Sequence, residues 1–234
     1  MVCAMPREAR GNGEGMTATP QIELLNVDCM AYMRTLADKA FDLAIADPPY
    51  GLGKSCWGGA GHLKNRLLQI EKKKIQQWDI RPTQEYFDEL FRVSKNQIIF
   101  GGNFFPLPPS RGIVAWDKAQ PWKNFSQFEL IWTSFNKPSA LFRLGNNREK
   151  KIHPTQKPVA LYKWLLERYA KSGERILDTH LGSGSIALAC QELGFDFVGC
   201  EIDSDYFEGA RRRFLEQFKK SSEVQYANQI GDGK

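Results

Sequence analysis

The apolar positions along the chain follow two spacings, one typical of β-strands and one typical of α-helices, and these predict short strands separated by helices. Two strand-like runs, Ile113–Trp116 and Phe128–Ser134, lie close together in sequence, so we expect an antiparallel pair near a sheet edge. Strands that alternate with helices are typical of an α/β fold with a largely parallel sheet. The other strand candidates are Ile22–Asn26, Asp42–Ala46, Gln97–Phe100, Arg175–Leu177 and Phe195–Cys200, and the helix candidates are Met30–Leu36, Gln84–Val93, Val159–Tyr169, Ser185–Leu193 and Tyr206–Phe218.

The bulk composition excludes several classes of protein without selecting one. With 234 residues and 42% hydrophobic content, the chain can bury one substantial core, and no linker divides it. A mean hydropathy of -0.45 argues against a membrane partner, and the polar N-terminus predicts a cytoplasmic protein. The five cysteines form no CxxC pair and the three histidines no ligand cluster, so no metal site is expected. The net charge of +5 suits a polyanionic partner.

Both ends of the chain differ from the part between them. Residues 1–20 are polar and contain Gly11, Gly13 and Gly15, which predicts a disordered tail. Residues 221–234 lose the apolar periodicity, and we expect this C-terminus to fray. One folded domain is therefore predicted over residues 21–220.

A glycine-rich turn lies between the strand candidate Arg175–Leu177 and the helix candidate Ser185–Leu193. Its sequence, Asp178-Thr-His-Leu-Gly-Ser-Gly184, lets the backbone approach a ligand closely, and the helix behind it offers free N–H groups. About 20 residues further on, the next strand ends at Glu201, the place of an acid that accepts ribose hydroxyl hydrogens. No lysine follows the glycines, and the third glycine of the dinucleotide fingerprint is missing. The pattern predicts a site for an adenosine-type ligand without a pyrophosphate.

The strand candidate Asp42–Ala46 runs into the tetrapeptide Asp47-Pro-Pro-Tyr50. Pro48 and Pro49 fix the backbone and withhold two N–H donors, which leaves their carbonyls pointing in defined directions. The Asp47 carboxylate and the Pro48 carbonyl can both accept hydrogen bonds from an amino group on an aromatic base, which aims the nitrogen lone pair at an electrophilic methyl group. Tyr50 can stack on that base once it is flipped out of the helix. The tetrapeptide therefore indicates methyl transfer to an exocyclic amino group, mainly by positioning.

Three motifs in this order resemble those of the amino-methyltransferases of DNA, the enzymes of restriction-modification systems and phages. They are the tetrapeptide that begins at Asp47, the segment His153-Pro-Thr-Gln-Lys-Pro158, and the turn Asp178-Thr-His-Leu-Gly-Ser-Gly-Ser185. Because the catalytic tetrapeptide precedes the glycine turn, the order is similar to the permuted beta group. The resemblance covers roughly residues 22–218 and implies a methyltransferase fold, a seven-stranded mixed sheet with helices on both faces, with S-adenosylmethionine as cofactor.

The resemblance also implies roles for single residues. Asp47, Pro48, Pro49 and Tyr50 would carry catalysis and base binding. Where the family usually has Pro-Phe after the acid of the glycine turn, this chain has Thr179-His180, and the imidazole can still cover the cofactor. His153 has either a role in the pocket or a hydrogen bond at the helix entry. The implied cofactor-binding residues are Asp28 at the adenine, Glu201 at the ribose, Asp178, Leu181, Gly182, Ser183 and Gly184 along the methionine moiety, and Asp47, Thr155, Lys157, His180 and Ile202 around the pocket.

Two stretches, residues 51–80 and 135–152, carry an excess of positive charge and are candidate DNA-contacting insertions. The glycine-rich part that follows the tetrapeptide predicts a loop that closes over a flipped base. The expected partner is double-stranded DNA, read with modest sequence specificity, and the resemblance also allows a homodimer. The candidate DNA contacts are Lys54, Trp57, Lys64, Arg66, Arg143 and Arg148.

The expected reaction is methylation of the N6 amino group of adenine in DNA, and three alternatives stay open. The N4 amino group of cytosine suits the same two acceptors, although the aspartate that opens the tetrapeptide favours adenine because serine is commoner in the cytosine enzymes. An RNA methyltransferase would generally place the glycine turn before the catalytic tetrapeptide. A catalytically silent DNA-binding protein would not need Asp47, Pro48 and Tyr50 intact.

Overall fold

The computed structural model describes residues 19–52, 79–120, 126–145, 152–153 and 155–231, with side chains up to Phe218. Within these residues the chain forms a mixed sheet with helices packed against it. The helices are α1 (Cys29–Arg34), α2 (Gln84–Val93), α3 (Val159–Tyr169), α4 (Ser185–Leu193) and α5 (Ser204–Gly231). The strands are β1 (Ile22–Leu25), β2 (Phe41–Ala46), β3 (Ser94–Phe100), β4 (Ile113–Asp117), β5 (Phe128–Thr133), β6 (Ala140–Arg143), β7 (Arg175–Asp178) and β8 (Asp196–Cys200).

The sheet has the strand order β1-β8-β7-β2-β3-β5-β4-β6. Every neighbouring pair is parallel except the two that involve β5, which runs antiparallel to both β3 and β4. The carboxyl ends of the other seven strands therefore meet at one edge of the sheet. Because Phe128 of β5 pairs with Asp117, the last residue of β4, β5 begins at that same edge. Ligand sites of open α/β sheets lie at this edge.

Apolar side chains cover both faces of the sheet and hold the helices there. The buried residues of α2 recur at helical spacing, which gives this helix one apolar face. Together with Met33 of α1, that face packs on one side of the sheet against Phe41 and Ala44 of β2. On the other side, α3, α4 and α5 pack against Leu43 and Ile45 of β2. Burying a side chain of this size stabilises the fold by about 1.5–3 kcal/mol.

Most of the predicted elements are confirmed within one to three residues. The bounds of α2, α3 and α4 are those the sequence predicts, and β4 and β5 form the expected antiparallel pair near the edge. The prediction of seven strands is wrong, because Ala140–Arg143 adds an eighth that pairs in parallel with β4. This strand is short and only partly buried, so its sequence has too weak an apolar pattern to separate it from a loop. Part of the candidate insertion 135–152 thus belongs to the sheet.

The last helix is longer than its sequence pattern predicts. We expected it to end at Phe218, but α5 continues to Gly231, so residues 221–231 are helical rather than irregular. This stretch contains glutamate, glutamine and alanine and no proline, which favours a helix even without an apolar stripe. The predicted disordered tail lies outside the described residues except for positions 19 and 20. No described helix combines the length and the apolarity that a membrane crossing requires.

Candidate active site

The two predicted halves of the site lie side by side at the carboxyl edge of the sheet. Strand β2 pairs directly with β7, in the register Leu43 with Ile176 and Ala44 with Leu177. Asp47, which follows β2, and Asp178, which ends β7, therefore come to the same edge, and β8 brings Glu201 alongside. The strand order thus brings the ends of the strands that carry the two predicted halves next to each other.

The tetrapeptide is held by hydrogen bonds and ring packing. The Tyr50 hydroxyl donates to Asp47 Oδ1 over 2.8 Å, and Arg81 Nε donates to the Tyr50 carbonyl over 3.2 Å. The Tyr50 ring stacks on Phe104, with centroids 4.9 Å apart and planes 19° apart. Pro48 is buried and Pro49 half-buried. These contacts fix the ring and the carboxylate relative to each other.

Gly101 follows β3 directly, and because it has no side chain the Tyr50 ring can pack against its backbone. Its φ of +65° lies in the left-handed region that glycine adopts most easily. A Cβ atom on this residue would lie 2.4 Å from Cε1 of Tyr50, well inside contact distance. The position of the Tyr50 ring thus depends on a glycine 51 residues further along the chain.

Three charged side chains from distant segments surround the tetrapeptide. Lys157 Nζ contacts Asp47 Oδ2 and lies 3.4 Å from Glu129 Oε1. Glu129 also accepts the Tyr50 hydroxyl over 2.7 Å and pairs through Oε2 with Lys118 Nζ at 2.9 Å. The Lys157 side chain is only 5% exposed, so its charge is held within the protein. We call Asp47, Tyr50, Lys118, Glu129 and Lys157 the Asp47 cluster.

Burial and mutual charge set the protonation of this cluster. Burial raises the pKa of Asp47, while the Lys157 ammonium opposes that rise. Burial opposes charge on Glu129 too, but its two lysines lower its pKa to about 2. Burial alone would lower the pKa of Lys157, but the carboxylates of Asp47 and Glu129 raise it. The pKa of Tyr50 lies well above its usual range because the residue is buried and lies beside the same two carboxylates. Lys157 therefore stays an ammonium and Tyr50 a hydroxyl donor.

The glycine turn after β7 is tied to β8 by backbone hydrogen bonds. Gly182 and Gly184 have φ values of +52° and +71°, and Leu181 N donates to the Cys200 carbonyl over 2.9 Å. Glu201 accepts Gly182 N at Oε2 over 2.8 Å and the N–H of Asp203 at Oε1 over 2.9 Å. Each carboxylate oxygen has two lone pairs, so Glu201 keeps acceptor capacity for a diol.

Asp178 and His180 differ in protonation because burial acts on them in opposite directions. Burial raises the pKa of Asp178 to about 8, although the backbone N–H of His180 donates to its Oδ1 over 2.8 Å and so lowers the pKa in part. Burial lowers the pKa of His180 to about 4, which keeps the imidazole neutral. His180 Nδ1 lies 2.9 Å from Thr179 Oγ1, which lies 2.6 Å from the Tyr86 hydroxyl. The Thr179-His180 pair that departs from the family thus has its own polar contacts on α2.

The remaining predicted cofactor residues have varied surroundings. Asp28 is the N-cap of α1 and accepts Ala31 N over 2.8 Å. His153 Nδ1 lies 3.1 Å from Thr155 Oγ1, and its ring is 3.6 Å from where a Cβ on Gly182 would be. The segment that opens with His153 therefore lies against the glycine turn. Leu181 and Ser183 are buried, and Ile202 is 67% exposed.

Sequence reasoning missed the residues that support the site from other elements. Glu129 and Lys118 are examples, because nothing around them marks them as functional. Another is Arg213 of α5, whose Nη1 donates to the Ser183 carbonyl over 2.9 Å and to Ser185 Oγ over 2.8 Å. Its only sequence signal is a position on a charged helix face, which many surface residues share.

Of the candidate DNA contacts, only Arg143 lies among the described residues. Lys54, Trp57, Lys64, Arg66 and Arg148 lie outside the described residues. Arg143 ends β6 at the carboxyl edge, where its exposed side chain has Nε 3.3 Å from Asp117 Oδ2. Across the described ranges there is no group of three or more histidine, cysteine and acidic side chains that could hold a metal ion.

Comparisons with known proteins show which sequences and folds this chain is similar to. Residues 111–212 match the family model of N6 and N4 methyltransferases, described as DNA methylase. The chain is 22% identical to the type II methyltransferase M.HpaI of Haemophilus parainfluenzae over 225 residues, 80% of this chain and 72% of that protein. It is also 22% identical to the type II methyltransferase M2.DpnII of Streptococcus pneumoniae over 241 residues, 81% of this chain and 88% of that protein.

Solved structures share the fold at low sequence identity. The crystal structure of an M1.HpyAVI-SAM complex superposes with a TM-score of 0.51 at 20% identity, over 83% of this chain and 99% of that one. The PvuII DNA methyltransferase, named as cytosine-N4-specific, superposes with a TM-score of 0.58 at 11% identity, over 84% of this chain and 87% of that one. The chain is therefore similar in sequence to DNA methyltransferases over most of its length, and it has the methyltransferase fold.

Proposed function

We propose that this chain transfers a methyl group from S-adenosylmethionine to the N6 amino group of adenine at specific sites in double-stranded DNA. The observation that carries the proposal is the placement of Asp47 and Tyr50, after β2, beside Asp178 and Glu201 of the two neighbouring strands. An amino-group acceptor and a nucleoside site thus share one edge of the sheet. The names of the relatives support DNA as the substrate, and the aspartate that opens the tetrapeptide favours adenine.

The side chains after β7 and β8 fit S-adenosylmethionine. Glu201 retains acceptor capacity for the two ribose hydroxyls although backbone N–H groups already hold it in place. Asp178 is a buried carboxyl whose raised pKa would fall again beside a positively charged amino group, such as that of the methionine moiety. The exposed Ile202 offers an apolar surface to the adenine ring. Bound there, the cofactor supplies a methyl group on a sulfonium, and a neutral thioether leaves when the amino nitrogen attacks.

The residues of this chain then position the flipped adenine. Asp47 Oδ1 and the Pro48 carbonyl accept the two amino hydrogens, which withdraws the nitrogen lone pair from the ring and directs it at the methyl group. The Tyr50 ring stacks on the base. After transfer the methylated nitrogen releases one proton, and Asp47 is the base that accepts it. No covalent intermediate with the protein is required.

The contacts with DNA are part of the same proposal. Arg143 reaches solvent at the edge where the base must enter, so it is placed to contact a phosphate. The basic residues Lys54, Lys64, Arg66 and Arg148 would add further phosphate contacts, and Trp57 a stacking surface. A role in restriction-modification is an extension suggested by the names of the type II relatives, and a homodimer is one suggested by the family resemblance.

Analysis of the product nucleosides tests the proposal. Purified protein is incubated with DNA of mixed sequence and S-adenosylmethionine labelled in the methyl group, and the DNA is then digested to nucleosides. We expect the label in N6-methyl-2′-deoxyadenosine. Label in N4-methyl-2′-deoxycytidine would make the choice of adenine wrong and the cytosine alternative right, a reaction for which the PvuII enzyme of the same fold is named as specific. If no nucleoside is labelled, the proposed transferase activity is wrong and a silent DNA-binding protein is the better description.

A further inference from the structure

The Asp47 cluster contains two lysines and a glutamate that the predicted mechanism does not use. We propose that Lys157 and Glu129 are positioning residues: Lys157 keeps Asp47 ionised and holds its Oδ2, and Glu129 takes the Tyr50 hydroxyl so that Oδ1 is free for the target amino group. The inference rests on the proposed function for its catalytic meaning, but the charge and the hydrogen bonds that it describes can be measured without catalysis.

The first step of the argument is the charge of Asp47. A buried carboxyl without a cation would take up a proton, which turns one oxygen into a hydrogen-bond donor and makes the group a weaker acceptor for an amino hydrogen. Lys157 Nζ is in contact with Asp47 Oδ2 and lies 4.6 Å from the centroid of the Phe100 ring, which further favours the ammonium. With Glu129 and Lys118 included, the cluster contains two carboxylates and two ammonium groups. Asp47 can therefore keep its charge in a buried place.

The second step is the single proton of the Tyr50 hydroxyl. This oxygen lies 2.8 Å from Asp47 Oδ1 and 2.7 Å from Glu129 Oε1, yet it can donate to only one of them at a time. Donation to Asp47 would take up one of the two lone pairs of the oxygen that the base needs and would compete with the amino group there. Because Glu129 is an equally close acceptor, Tyr50 can turn its proton to Glu129 while its ring stays on Phe104. Glu129 thus frees Asp47 Oδ1 without moving the ring.

The third step is that Glu129 is itself held in place. It is the second residue of β5, whose antiparallel direction brings its first residues to the carboxyl edge. Lys118 pairs with its other oxygen, and the Lys118 backbone N–H donates to the Gln127 carbonyl over 2.9 Å. The position of Glu129 is therefore set by the β4–β5 pair and not by the tetrapeptide.

Titration of Asp47 tests directly whether Lys157 and Glu129 influence its charge. Among the described residues outside the cluster, the titratable groups that interact electrostatically with Asp47 are Asp178 of β7, Tyr86 of α2 and Tyr162 of α3, and all three stay unchanged in the variants below. The protein is labelled with ¹³C at the aspartate carboxyl groups, and the Asp47 signal is assigned with Asp47→Asn. We expect Lys157→Met to raise the pKa of Asp47 by about one unit or more and Glu129→Gln to lower it.

Two further variants make that titration specific. Lys157→Arg keeps the positive charge and should leave the Asp47 titration near that of the wild type. Lys163→Met removes a lysine that pairs with Glu192 on α4, away from the site, and should leave it unchanged. Shifts of the same sign in Lys157→Met and Glu129→Gln, or no shift in either, would overturn the inference whatever the catalytic activity is.

A double-mutant cycle tests the hydrogen bond between Tyr50 and Glu129. Tyr50→Phe removes one hydroxyl and keeps the ring, so the variant should fold even if a lysine variant does not. We expect Glu129→Gln to lower kcat by about 10-fold with little change in the KM for DNA. Tyr50→Phe should lower it less, because no hydroxyl then competes for Asp47 Oδ1, and the double variant should lose no more than the worse single one. Losses that multiply would show that the two residues act independently, and the inference would be wrong.

The failure of the inference and that of the proposed function are distinguishable. A wild-type protein that methylates no base contradicts the proposed function, while opposite shifts in the Asp47 titration would still support the electrostatic relation. Conversely, methylation by the wild type together with an unshifted Asp47 titration contradicts the inference alone. Where the protein is active, the acidic limb of kcat/KM should move with the titration, upward in Lys157→Met and downward in Glu129→Gln.

Discussion

The two sides of the site are built in different ways, although they lie on neighbouring strands. On the cofactor side, Asp178 and Glu201 are held by backbone N–H groups within two to nineteen residues of them in sequence. On the catalytic side, Asp47 is held by the side chain of Lys157, 110 residues away, and Tyr50 by Glu129, 79 residues away. One side depends on local backbone geometry and the other on charges brought together by the sheet.

This difference has consequences for how each side responds to change. Backbone hydrogen bonds are kept when side chains are exchanged, so the cofactor side should lose mainly the function of the residue that is replaced. Paired buried charges depend on one another, so removal of one leaves its partner uncompensated. We therefore expect local losses on the cofactor side and coupled losses on the catalytic side.

Replacement of the catalytic acid should separate the two sides most strongly. We expect Asp47→Ala to lower methyl transfer by about 1000-fold or more, because the amino group loses its main acceptor. The Kd for S-adenosylmethionine, measured by calorimetry, should change by less than about threefold, because the backbone-held cofactor side is left intact. The matched control is Asp88→Ala on the exposed face of α2, which should keep both properties. Equal loss of binding and transfer would show that the two sides are not separable.

Loss of the ribose acceptor should have the opposite pattern. We expect Glu201→Gln to weaken S-adenosylmethionine binding by about 100-fold, since hydrogen bonds to a charged group contribute about 1.5–3 kcal/mol. At saturating cofactor, transfer should recover toward the wild-type rate. Glu192→Gln on α4, which removes a carboxylate outside the site, serves as the control. An unchanged Kd would remove Glu201 from the cofactor site.

A methyl group on Gly101 should disturb the catalytic side by steric means alone. Gly101→Ala places a Cβ atom 2.4 Å from the Tyr50 ring and also has to keep a φ of +65°. Gly173→Ala has the same backbone cost, with a φ of +81°, but nothing lies within 4 Å of its Cβ atom. We expect Gly101→Ala to lower the free energy of unfolding by about 2 kcal/mol more than Gly173→Ala, measured by urea denaturation. Equal losses in the two variants would argue against close packing of Tyr50 on Gly101.

The smallest effect is a dependence of cofactor binding on pH. Because burial raises the pKa of Asp178 to about 8, the carboxyl is mostly protonated at pH 6 and must lose its proton to bind a cationic amino group. Affinity for S-adenosylmethionine should therefore rise by up to about tenfold per unit between pH 6 and about 7, where an α-amino group is still mostly protonated. Asp178→Asn should bind more weakly and lose this slope. A flat profile in the wild type would contradict the proposed contact.

Asp178 should also make the stability of the cofactor-free protein depend on pH. The folded pKa of Asp178 lies above the value of an exposed aspartate, so the folded state binds more protons than the unfolded state between those two values. The contribution of Asp178 therefore destabilises the protein progressively as the pH rises from about 4 to about 8. Asp178→Asn should flatten this part of the stability profile in thermal unfolding experiments.

The helices and most strands were predictable because their patterns are local. The bounds of α2 and α4 follow from apolar spacing and from the glycines that flank α4. Strand β6 was not predictable, because four residues with partial burial carry too little pattern. The extension of α5 to Gly231 was not predictable from apolar periodicity either, since backbone propensity continues the helix without an apolar stripe.

The sequence by itself determined the motifs whose parts are covalent neighbours: the tetrapeptide Asp47–Tyr50 and the glycine turn, with Glu201 one strand later. Only the tertiary structure decided which other charges surround them. Glu129 reaches Tyr50 because β5, alone among the described strands, runs antiparallel and so begins at the edge where the others end. Lys157 reaches Asp47 because α3, which begins two residues after it, packs on the face of β2. Strand order and direction depend on which apolar faces pack together over the whole chain, and no short stretch of sequence contains that information.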